Sequence, residues 1–304
     1  MLSLIIFIIC LAVLIYTAKL VTDSASHFAR VFGASEFIVG ATVVALGTSL
    51  PELSSSLAAM SSGLTEIVIG NVVGSNIANI ALILGLTGIF YVLKTERDIL
   101  KTDVPFFIGS AIITLIVLLD FKVTFSEGII LIVVYFSYLA NSMITHKEHN
   151  GHKKIKLEYI QIVWFLLGLA GLIYSAKYLI ISSVDMMSSL GISEAIIGFI
   201  LIAVGTSLPE LSTSIVAARK GKIDMVLGNI IGSNIFNSLV VLGASALVAD
   251  VKAGSQFIYS VAPAMVFLTI LLSYMIRDRK ITRFESGLLL MLYLIIIVRT
   301  ISVT

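Results

Sequence analysis

Long apolar stretches separated by short polar ones run along the whole of this 304-residue chain. A helix rises about 1.5 Å per residue and must cross about 30 Å of hydrocarbon, so most of these stretches are long enough to span a membrane. We predict an all-α polytopic membrane protein. Its ten spanning helices are expected near residues 2–21, 36–60, 66–93, 104–120, 126–145, 159–181, 192–217, 224–249, 256–276 and 284–303.

The composition supports this prediction. Hydrophobic residues make up 58% of the chain and charged residues only 12%, with a mean hydropathy of +1.08, which excludes an ordinary soluble domain. Residues 1–18 carry no basic region and no polar cleavage zone, so we expect them to begin the first spanning helix and not a removed signal peptide. Cys10 is the only cysteine, so neither an internal disulfide nor a thiolate metal site is expected.

An internal repeat relates the two halves of the chain. The hexapeptide at 47–52, Gly-Thr-Ser-Leu-Pro-Glu, recurs letter for letter 158 residues later at 205–210. The same offset carries Gly-Asn-x-x-Gly-Ser-Asn-Ile from 70–77 to 228–235. All four prolines pair in this way, so the halves align almost without gaps. We predict a first five-helix repeat at 1–146, a basic cytoplasmic linker at 147–158 and a second repeat at 159–304.

The charge distribution predicts that the two repeats are inverted. Five helices per repeat is an odd number, so the second repeat must enter the membrane from the opposite side. The loop at 61–66 has no Lys or Arg, whereas its counterpart carries Arg219, Lys220 and Lys222. Because basic loops favour the cytoplasm, both termini are predicted to lie outside the cell membrane.

Glu52 and Glu210 are the main functional candidates. Each lies inside an apolar stretch, where a charged side chain costs about 2.5–3.5 kcal/mol and is tolerated mainly when it faces a cavity or a partner. The prolines before them have no N–H, which leaves a carbonyl one turn earlier without its helical donor. Carboxylate, carbonyl and hydroxyl oxygens are the ligands of hard cations. The pattern favours a cation site; the alternative is a proline kink whose glutamate bonds to a neighbouring helix.

A second polar cluster follows each glutamate. Ser75 and Asn79 are four residues apart, as are Ser233 and Asn237, so each pair can share one helix face. The intervening glycines form GxxxG patterns that indicate close helix packing. Packing explains the paired asparagines less well, because an unpaired amide in lipid is costly.

Two other classes of protein fit the chain less well. The four histidines, His27, His146, His149 and His152, all fall in or near predicted loops, so no histidine base lies in the central spans and an enzyme is not expected. Channels usually have rotational symmetry. Inverted repeats with one broken segment in each half are typical of transporters that expose one site to either side in turn.

The two hexapeptides and the Gly-Asn-x-x-Gly-Ser-Asn-Ile segments resemble the cation/calcium exchanger superfamily, especially its prokaryotic sodium/calcium exchangers. The resemblance covers nearly the whole chain. It implies a sodium/calcium antiporter that needs no cofactor, with Ca²⁺ and Na⁺ as substrates and the lipid bilayer as its surroundings. It implies neither a nucleic-acid partner nor an obligatory protein partner. Helices two, three, seven and eight would form a core of cation sites, across which helices one and six slide.

The resemblance also implies a role for each motif residue. Glu52 and Glu210 would ligate both ions, and Thr48 and Thr206 would supply oxygens to Ca²⁺. The implied Na⁺ sites comprise Ser49, Ser75, Ser207, Ser233 and the backbone carbonyls of Ala45 and Ala203. Asn79 and Asn237 would close the centre. Several relatives carry Asp where this chain has Asn237, so dependence on co-transported K⁺ is not expected.

The charge of the predicted site indicates how exchange could work. Two carboxylates balance one Ca²⁺, and several Na⁺ ions sharing the same oxygens would balance or exceed them. Both loads together would leave uncompensated positive charge in a low-dielectric site, so occupancy is mutually exclusive. The alternative is a proton/calcium antiporter, in which the same two glutamates release protons when Ca²⁺ arrives.

Overall fold

The computed structural model describes residues 2–94, 99–145, 158–189, 205–255 and 257–303. Helices dominate this part of the chain, and four two-residue strands lie among them. The helices are α1 Leu2–Phe32, α2 Glu36–Thr48, α3 Leu50–Ser61, α4 Thr65–Phe90, α5 Val104–Val117, α6 Phe125–Thr145, α7 Tyr159–Ser189, α8 Leu208–Arg219, α9 Ile223–Val248, α10 Ile258–Asp278 and α11 Arg283–Val303. The strands are β1 Leu93–Lys94, β2 Lys122–Val123, β3 Val251–Lys252 and β4 Lys280–Ile281.

Six of the described helices are long and apolar enough to cross a membrane. They lie within α1, α4, α6, α7, α9 and α10. The pair α2 and α3, bent by 40°, counts as a seventh if it is one broken span. The chain is therefore a multi-pass helical membrane protein. The first half of the predicted seventh helix, residues 192–204, lies outside the described residues.

Helix α1 is longer than the sequence predicts. The apolar run ends near residue 21, yet the helix continues to Phe32. Hydroxyl groups let polar residues remain in this helix, because Thr22 donates to the carbonyl of Ala18 (2.8 Å) and Ser26 to that of Thr22 (2.9 Å). The prediction that His27 falls in or near a loop is wrong, since it lies inside α1 and is 7% exposed. The predicted sixth helix likewise extends from residue 181 to Ser189.

Helices α1 and α7, which the 158-residue offset relates, pack along each other. Two glycines on α7 permit the close approach. A Cβ at Gly171 would lie 2.4 Å from Cγ2 of Thr17, and one at Gly168 would lie 2.9 Å from Cγ2 of Val21. The other faces of these helices expose large apolar side chains such as Ile8 and Leu166, as expected of surfaces that face lipid.

Helices α4 and α9 form the centre of the molecule. In the apolar 18-residue stretch of each helix, 78% of α4 and 83% of α9 is buried, against 22% of α1. Helix α9 packs against α2, α8 and α5, and α4 packs against α3 and α10. The most buried helices are thus the two that carry the Gly-Asn-x-x-Gly-Ser-Asn-Ile segments.

Two small antiparallel sheets connect the halves of the chain. Strand β1 pairs with β4, placing Lys94 opposite Lys280, and β2 pairs with β3, placing Lys122 opposite Lys252. The 158-residue offset converts one sheet into the other, because β1 corresponds to β3 and β2 to β4. These strands are two residues long, and the hydropathy pattern does not predict them.

Contacts between loops group them at two ends of the molecule. At one end, the loop after α8 reaches both neighbouring helices of the first half: Lys220 pairs with Asp23, and Lys222 pairs with Glu36 (2.6 Å). At the other end, Lys122 lies 3.9 Å from Asp250. The backbone N–H of Lys252 donates to Thr65 there (3.4 Å). The loops before and after α9 thus make contacts to the first half at opposite ends of that helix.

Candidate functional site

The first hexapeptide ends helix α2 and starts α3, and the second hexapeptide starts α8. Ser49 lies between α2 and α3 with φ −89° and ψ 7°, and Ser207 precedes α8 with the same two angles. The prolines occupy the first turn of the new helices, where a missing N–H costs little. Glu52 and Glu210 follow in that turn, where the helix dipole favours negative charge. The motif therefore places a carboxylate at a helix start inside the protein.

The two carboxylates are buried and incompletely bonded. Glu52 is 1% exposed and Glu210 is 0% exposed. Ser49 donates to Oε1 of Glu210 (3.0 Å), while Oε2 of each glutamate has no hydrogen-bond partner among the described residues. The two carboxylates lie close enough to repel each other. Buried unpaired oxygens of this kind are costly unless a cation or a proton joins them.

Neutral oxygens from both halves share this property. Within the described part of the chain, four further predicted ligands are buried and each has an oxygen without a partner: Ser207, Ser233, Asn79 and Asn237. Buried polar atoms are normally satisfied, so a group of unsatisfied ones points to a ligand. Hydroxyl, amide and carboxylate oxygens are the donors that Na⁺ and Ca²⁺ accept.

Short π-helical turns bring the two asparagines to the glutamate helices. Asn79 lies in the π turn Ala78–Ile83, which packs against α8, the helix of Glu210. Asn237 begins the π turn Asn237–Val241, which packs against α3, the helix of Glu52. A third π turn, Gly40–Val44, directly precedes Ala45. Turns of this type occur often at functional sites, and the apolar pattern does not reveal them.

Contacts between the halves assemble the site. Ser49 bonds to Glu210 across the repeat boundary, and the hydroxyls of Ser75 and Thr206 are 3.4 Å apart and face Glu52. Thr48 is 0% exposed, whereas Thr206 is half-buried. Neither hexapeptide forms the site alone.

Backbone carbonyls were also predicted as ligands. The carbonyl of Ala45 accepts the N–H of Ser49 (3.0 Å) and lies 3.4 Å from the Thr48 hydroxyl, so it sits beside the predicted ligands. Ala203, its counterpart in the second half, lies outside the described residues.

Two asparagines outside the predicted ligand set hold the site together. Nδ2 of Asn71 donates to the backbone carbonyl of Glu52 (2.9 Å) and to Ser56 (2.8 Å). Nδ2 of Asn229 donates to Thr213 and Ser214, both at 3.4 Å. The repeat could have identified these two asparagines from the sequence, because the offset of 158 residues relates Asn71 to Asn229 and Ser56 to Ser214.

Glycines on α9 let it contact the backbone of α2. A Cβ at Gly228 would lie 2.2 Å from the carbonyl oxygen of Phe37, and one at Gly232 would lie 2.2 Å from that of Ala41. The predicted packing role of these glycines is therefore confirmed. For Gly74 in the first half, no described atom lies within 4 Å of the corresponding Cβ position.

The ionisable groups of the site are few. In the described ranges, no three His, Cys, Asp or Glu side chains gather as a transition-metal centre would require. The site as described therefore consists of two carboxylates among hydroxyl, amide and carbonyl oxygens, a donor set that suits Na⁺ or Ca²⁺ better than softer metals.

Comparison with known proteins agrees with this chemistry. The family described as sodium/calcium exchanger protein matches residues 2–144 and again residues 160–302. The sodium/calcium exchanger MaX1 of Methanosarcina acetivorans is 31% identical, covering 96% of this chain and 97% of that protein. The inner membrane protein YrbG of Escherichia coli is 34% identical, covering 79% and 78%. A solved structure of the sodium-calcium exchanger NCX_Mj superposes with a TM-score of 0.86 at 31% identity, covering 98% of both chains.

Proposed function

The chain belongs to the sodium/calcium exchanger family, and from that premise we propose that it exchanges Ca²⁺ for Na⁺ by alternating access at one site between its two hexapeptides. It is a membrane transporter and not an enzyme. Ca²⁺ and Na⁺ are its transported substrates. The site lies near the middle of the bilayer and belongs to both repeats equally.

One observation carries the proposal. Glu52 and Glu210 come from opposite halves, are both buried in the protein interior close enough to repel each other, and each keeps one oxygen unpartnered among the described residues. Two carboxylates match the charge of one Ca²⁺. Removing a divalent ion without a replacement would leave two bare charges in a low-dielectric site, so we expect empty sites to oppose the switch between sides. Loading with either ion relieves that cost, which couples the two fluxes.

The proposed ligand set extends to the neutral oxygens. Ser49, Ser75, Thr48 and Thr206 make contacts across the repeats, and the unpartnered oxygens of Ser207, Ser233, Asn79 and Asn237 support the same role. The carbonyls of Ala45 and Ala203 complete the set, the second of them by analogy with the first. Without a third carboxylate at position 237, we expect exchange to proceed without K⁺.

The proposed architecture has ten spanning helices in two inverted repeats, 1–146 and 159–304, joined by a cytoplasmic linker at 147–158. Two observations support it. The family match covers two segments offset by the same 158 residues as the hexapeptides, and the pairs β1–β4 and β2–β3 exchange under that offset. We place both termini outside the cell, with the protein in the plasma membrane. Most of the linker lies outside the described residues.

Ion flux in proteoliposomes tests the function. Vesicles containing the purified protein are loaded with Na⁺ and diluted into Na⁺-free buffer with ⁴⁵Ca²⁺, with and without K⁺. A second set receives only a pH gradient. We expect uptake that needs the Na⁺ gradient, is unaffected by K⁺, and is absent from protein-free vesicles. Uptake driven by the proton gradient alone would overturn Na⁺ as the counter-ion and identify a proton/calcium antiporter.

A further inference from the structure

The amide of Asn229 lies between the helix of Glu210 and the hydroxyl of Thr48. It is 1% exposed, and its Oδ1 accepts a hydrogen bond from Thr48 at 3.3 Å. We propose that Asn229 is a positioning residue. It accepts the hydrogen bond of the Thr48 hydroxyl, so that the lone pairs of this hydroxyl, and not its proton, face the cation. The inference rests on the proposed exchange site and assigns a role to a residue outside its ligand set.

Hydrogen bonds on α8 determine which way the Asn229 amide points. The hydroxyl of Thr213 lies 2.8 Å from the carbonyl oxygen of Pro209 and 3.0 Å from that of Glu210, and it donates its one proton to them. It can therefore only accept from Asn229, whose Nδ2 is 3.4 Å away. With its NH₂ group turned toward α8, Asn229 must present Oδ1 to Thr48.

The surroundings of Thr48 leave its proton one destination when an ion is bound. Its hydroxyl has three acceptors within reach: the carbonyl of Ala45 at 3.4 Å, Oδ1 of Asn229 at 3.3 Å and the carboxylate of Glu210. The first and third are proposed ligands, so a bound cation occupies their lone pairs. Thr48 is fully buried, so solvent does not take the proton. Asn229 alone accepts it without competing with the ion.

The first half orients its amide in the same way with a different residue. Ser55 donates to the backbone carbonyl of Glu52 (3.1 Å) and accepts from Nδ2 of Asn71 (3.1 Å). Ser55 stands where the second half has Thr213, so a changed side chain preserves the same hydrogen-bond direction. The hydroxyl of Thr206, the counterpart of Thr48, lies 3.4 Å from that of Ser75. Because the two threonines have different neighbours, the contact between Asn229 and Thr48 can be tested separately.

A double-mutant cycle of Asn229 and Thr48 tests the inference. We expect Asn229→Ala to raise the KM for Ca²⁺ in exchange about tenfold, the size of one lost hydrogen bond to a functional group. The maximal rate should fall by less. Thr48→Val should raise the KM as well, and adding Asn229→Ala to Thr48→Val should change it no further. Effects that multiply in the double variant would show that Asn229 does not act through Thr48 and would overturn the inference.

Controls separate this inference from general damage and from the proposed function. Thr269→Val removes a buried hydroxyl whose hydrogen bond among the described residues stays within its own helix (2.9 Å to the carbonyl of Met265), and it should leave the KM unchanged. Calorimetric Ca²⁺ binding to the purified variants in detergent gives a second readout. Wild-type protein without Na⁺-driven uptake would reject the proposed function, whereas normal wild-type exchange with unchanged Ca²⁺ affinity in Asn229→Ala would reject the inference alone.

A second variant covers the case in which Asn229→Ala does not fold. Thr213→Val leaves Asn229 in place but removes one of the two hydroxyls, those of Thr213 and Ser214, that accept from its Nδ2. We expect it to raise the KM for Ca²⁺ about threefold when Thr48 is present, and to have no effect in Thr48→Val, because a weaker constraint costs less than a lost bond. An equal effect in both backgrounds would contradict the proposed link.

Discussion

Glu52 and Glu210 differ in how the surrounding residues hold them. Ser49 donates to one oxygen of Glu210, whereas Ser207, its counterpart in the second hexapeptide, has an unpartnered hydroxyl among the described residues. The two halves therefore present the same groups in different hydrogen-bonding states. This asymmetry is expected of a single conformation of a transporter that alternates between two related ones.

Glu210→Gln tests the charge argument at a single residue. The amide keeps the shape and can still accept from Ser49, but it removes one of the two charges that balance Ca²⁺. We expect exchange to be abolished and the protein to remain folded, because a neutral amide costs less to bury than an unpaired carboxylate. Ca²⁺ at 100 times its Kd should stabilise the wild type by about 2.7 kcal/mol and so raise its melting temperature. The melting temperature of the variant should not change when Ca²⁺ is added.

The matched control for that substitution is Glu158→Gln, which removes an exposed carboxylate at the start of α7. It should retain both exchange and stabilisation by Ca²⁺. The measurements are Na⁺-driven ⁴⁵Ca²⁺ uptake and thermal unfolding with and without Ca²⁺. Uptake by Glu210→Gln at the wild-type rate would contradict its assignment as a ligand.

At the level of elements, the packing of α9 on α2 positions the site. Helix α9 carries Asn229, Ser233 and Asn237, and α2 ends at the first hexapeptide. Glycines at the crossing bring the two backbones together, so the distance between Thr48 and Asn229 depends on them. A side chain in place of either glycine would move the predicted ligands on α9 away from the first hexapeptide.

Gly232→Ala should therefore be destabilising. Its Cβ would lie 2.2 Å from the carbonyl oxygen of Ala41, a backbone atom that cannot move without moving α2. We expect a loss of about 1–3 kcal/mol of stability, the usual cost of overpacking, together with reduced Ca²⁺ affinity. Thermal unfolding and Ca²⁺ titration of the purified protein measure both effects.

Gly109→Ala on α5 is the comparison for this prediction. No described atom lies within 4 Å of its Cβ position, so the added methyl meets open space. Because alanine is also the better helix former, stability should stay the same or rise slightly. Equal stability of Gly232→Ala and Gly109→Ala would show that the crossing of α2 and α9 tolerates separation.

At the level of the whole molecule, the short sheets at the two ends pair strands from opposite halves. Each sheet places two lysines opposite each other, Lys94 with Lys280 at one end and Lys122 with Lys252 at the other. In the proposed topology the first pair faces the cytoplasm and the second faces outside. If that topology holds, the two sheets lie on opposite sides of the membrane.

Cysteine labelling on intact cells tests this topology. After Cys10→Ala removes the only native thiol, single cysteines are introduced as Lys252→Cys and Lys280→Cys, both at exposed positions. A membrane-impermeant maleimide should label Lys252→Cys directly and Lys280→Cys only after the cells are permeabilised. The reverse pattern would place both termini in the cytoplasm and overturn the predicted orientation.

The helical membrane class and the exchanger family can be recognised from the amino-acid sequence alone, and the ligand set stays a prediction. Apolar runs, the 158-residue offset and the hexapeptides are local or periodic features, so they can be recognised without coordinates. The predicted resemblance to sodium/calcium exchangers is confirmed by the family match and by the relatives. The burial of Glu52 and Glu210 also follows the prediction, because each lies in an apolar segment of its own half.

How the two halves meet is seen only in the folded structure. The continuation of α1 to Phe32, the π turn that holds Asn79 and the pairing of β1 with β4 depend on neighbours distant in the chain, which hydropathy does not encode. The same holds for the contact of Asn229 with Thr48, 181 residues apart. Which oxygens remain free for a cation depends on which ones other side chains already occupy, and that is a property of the folded arrangement.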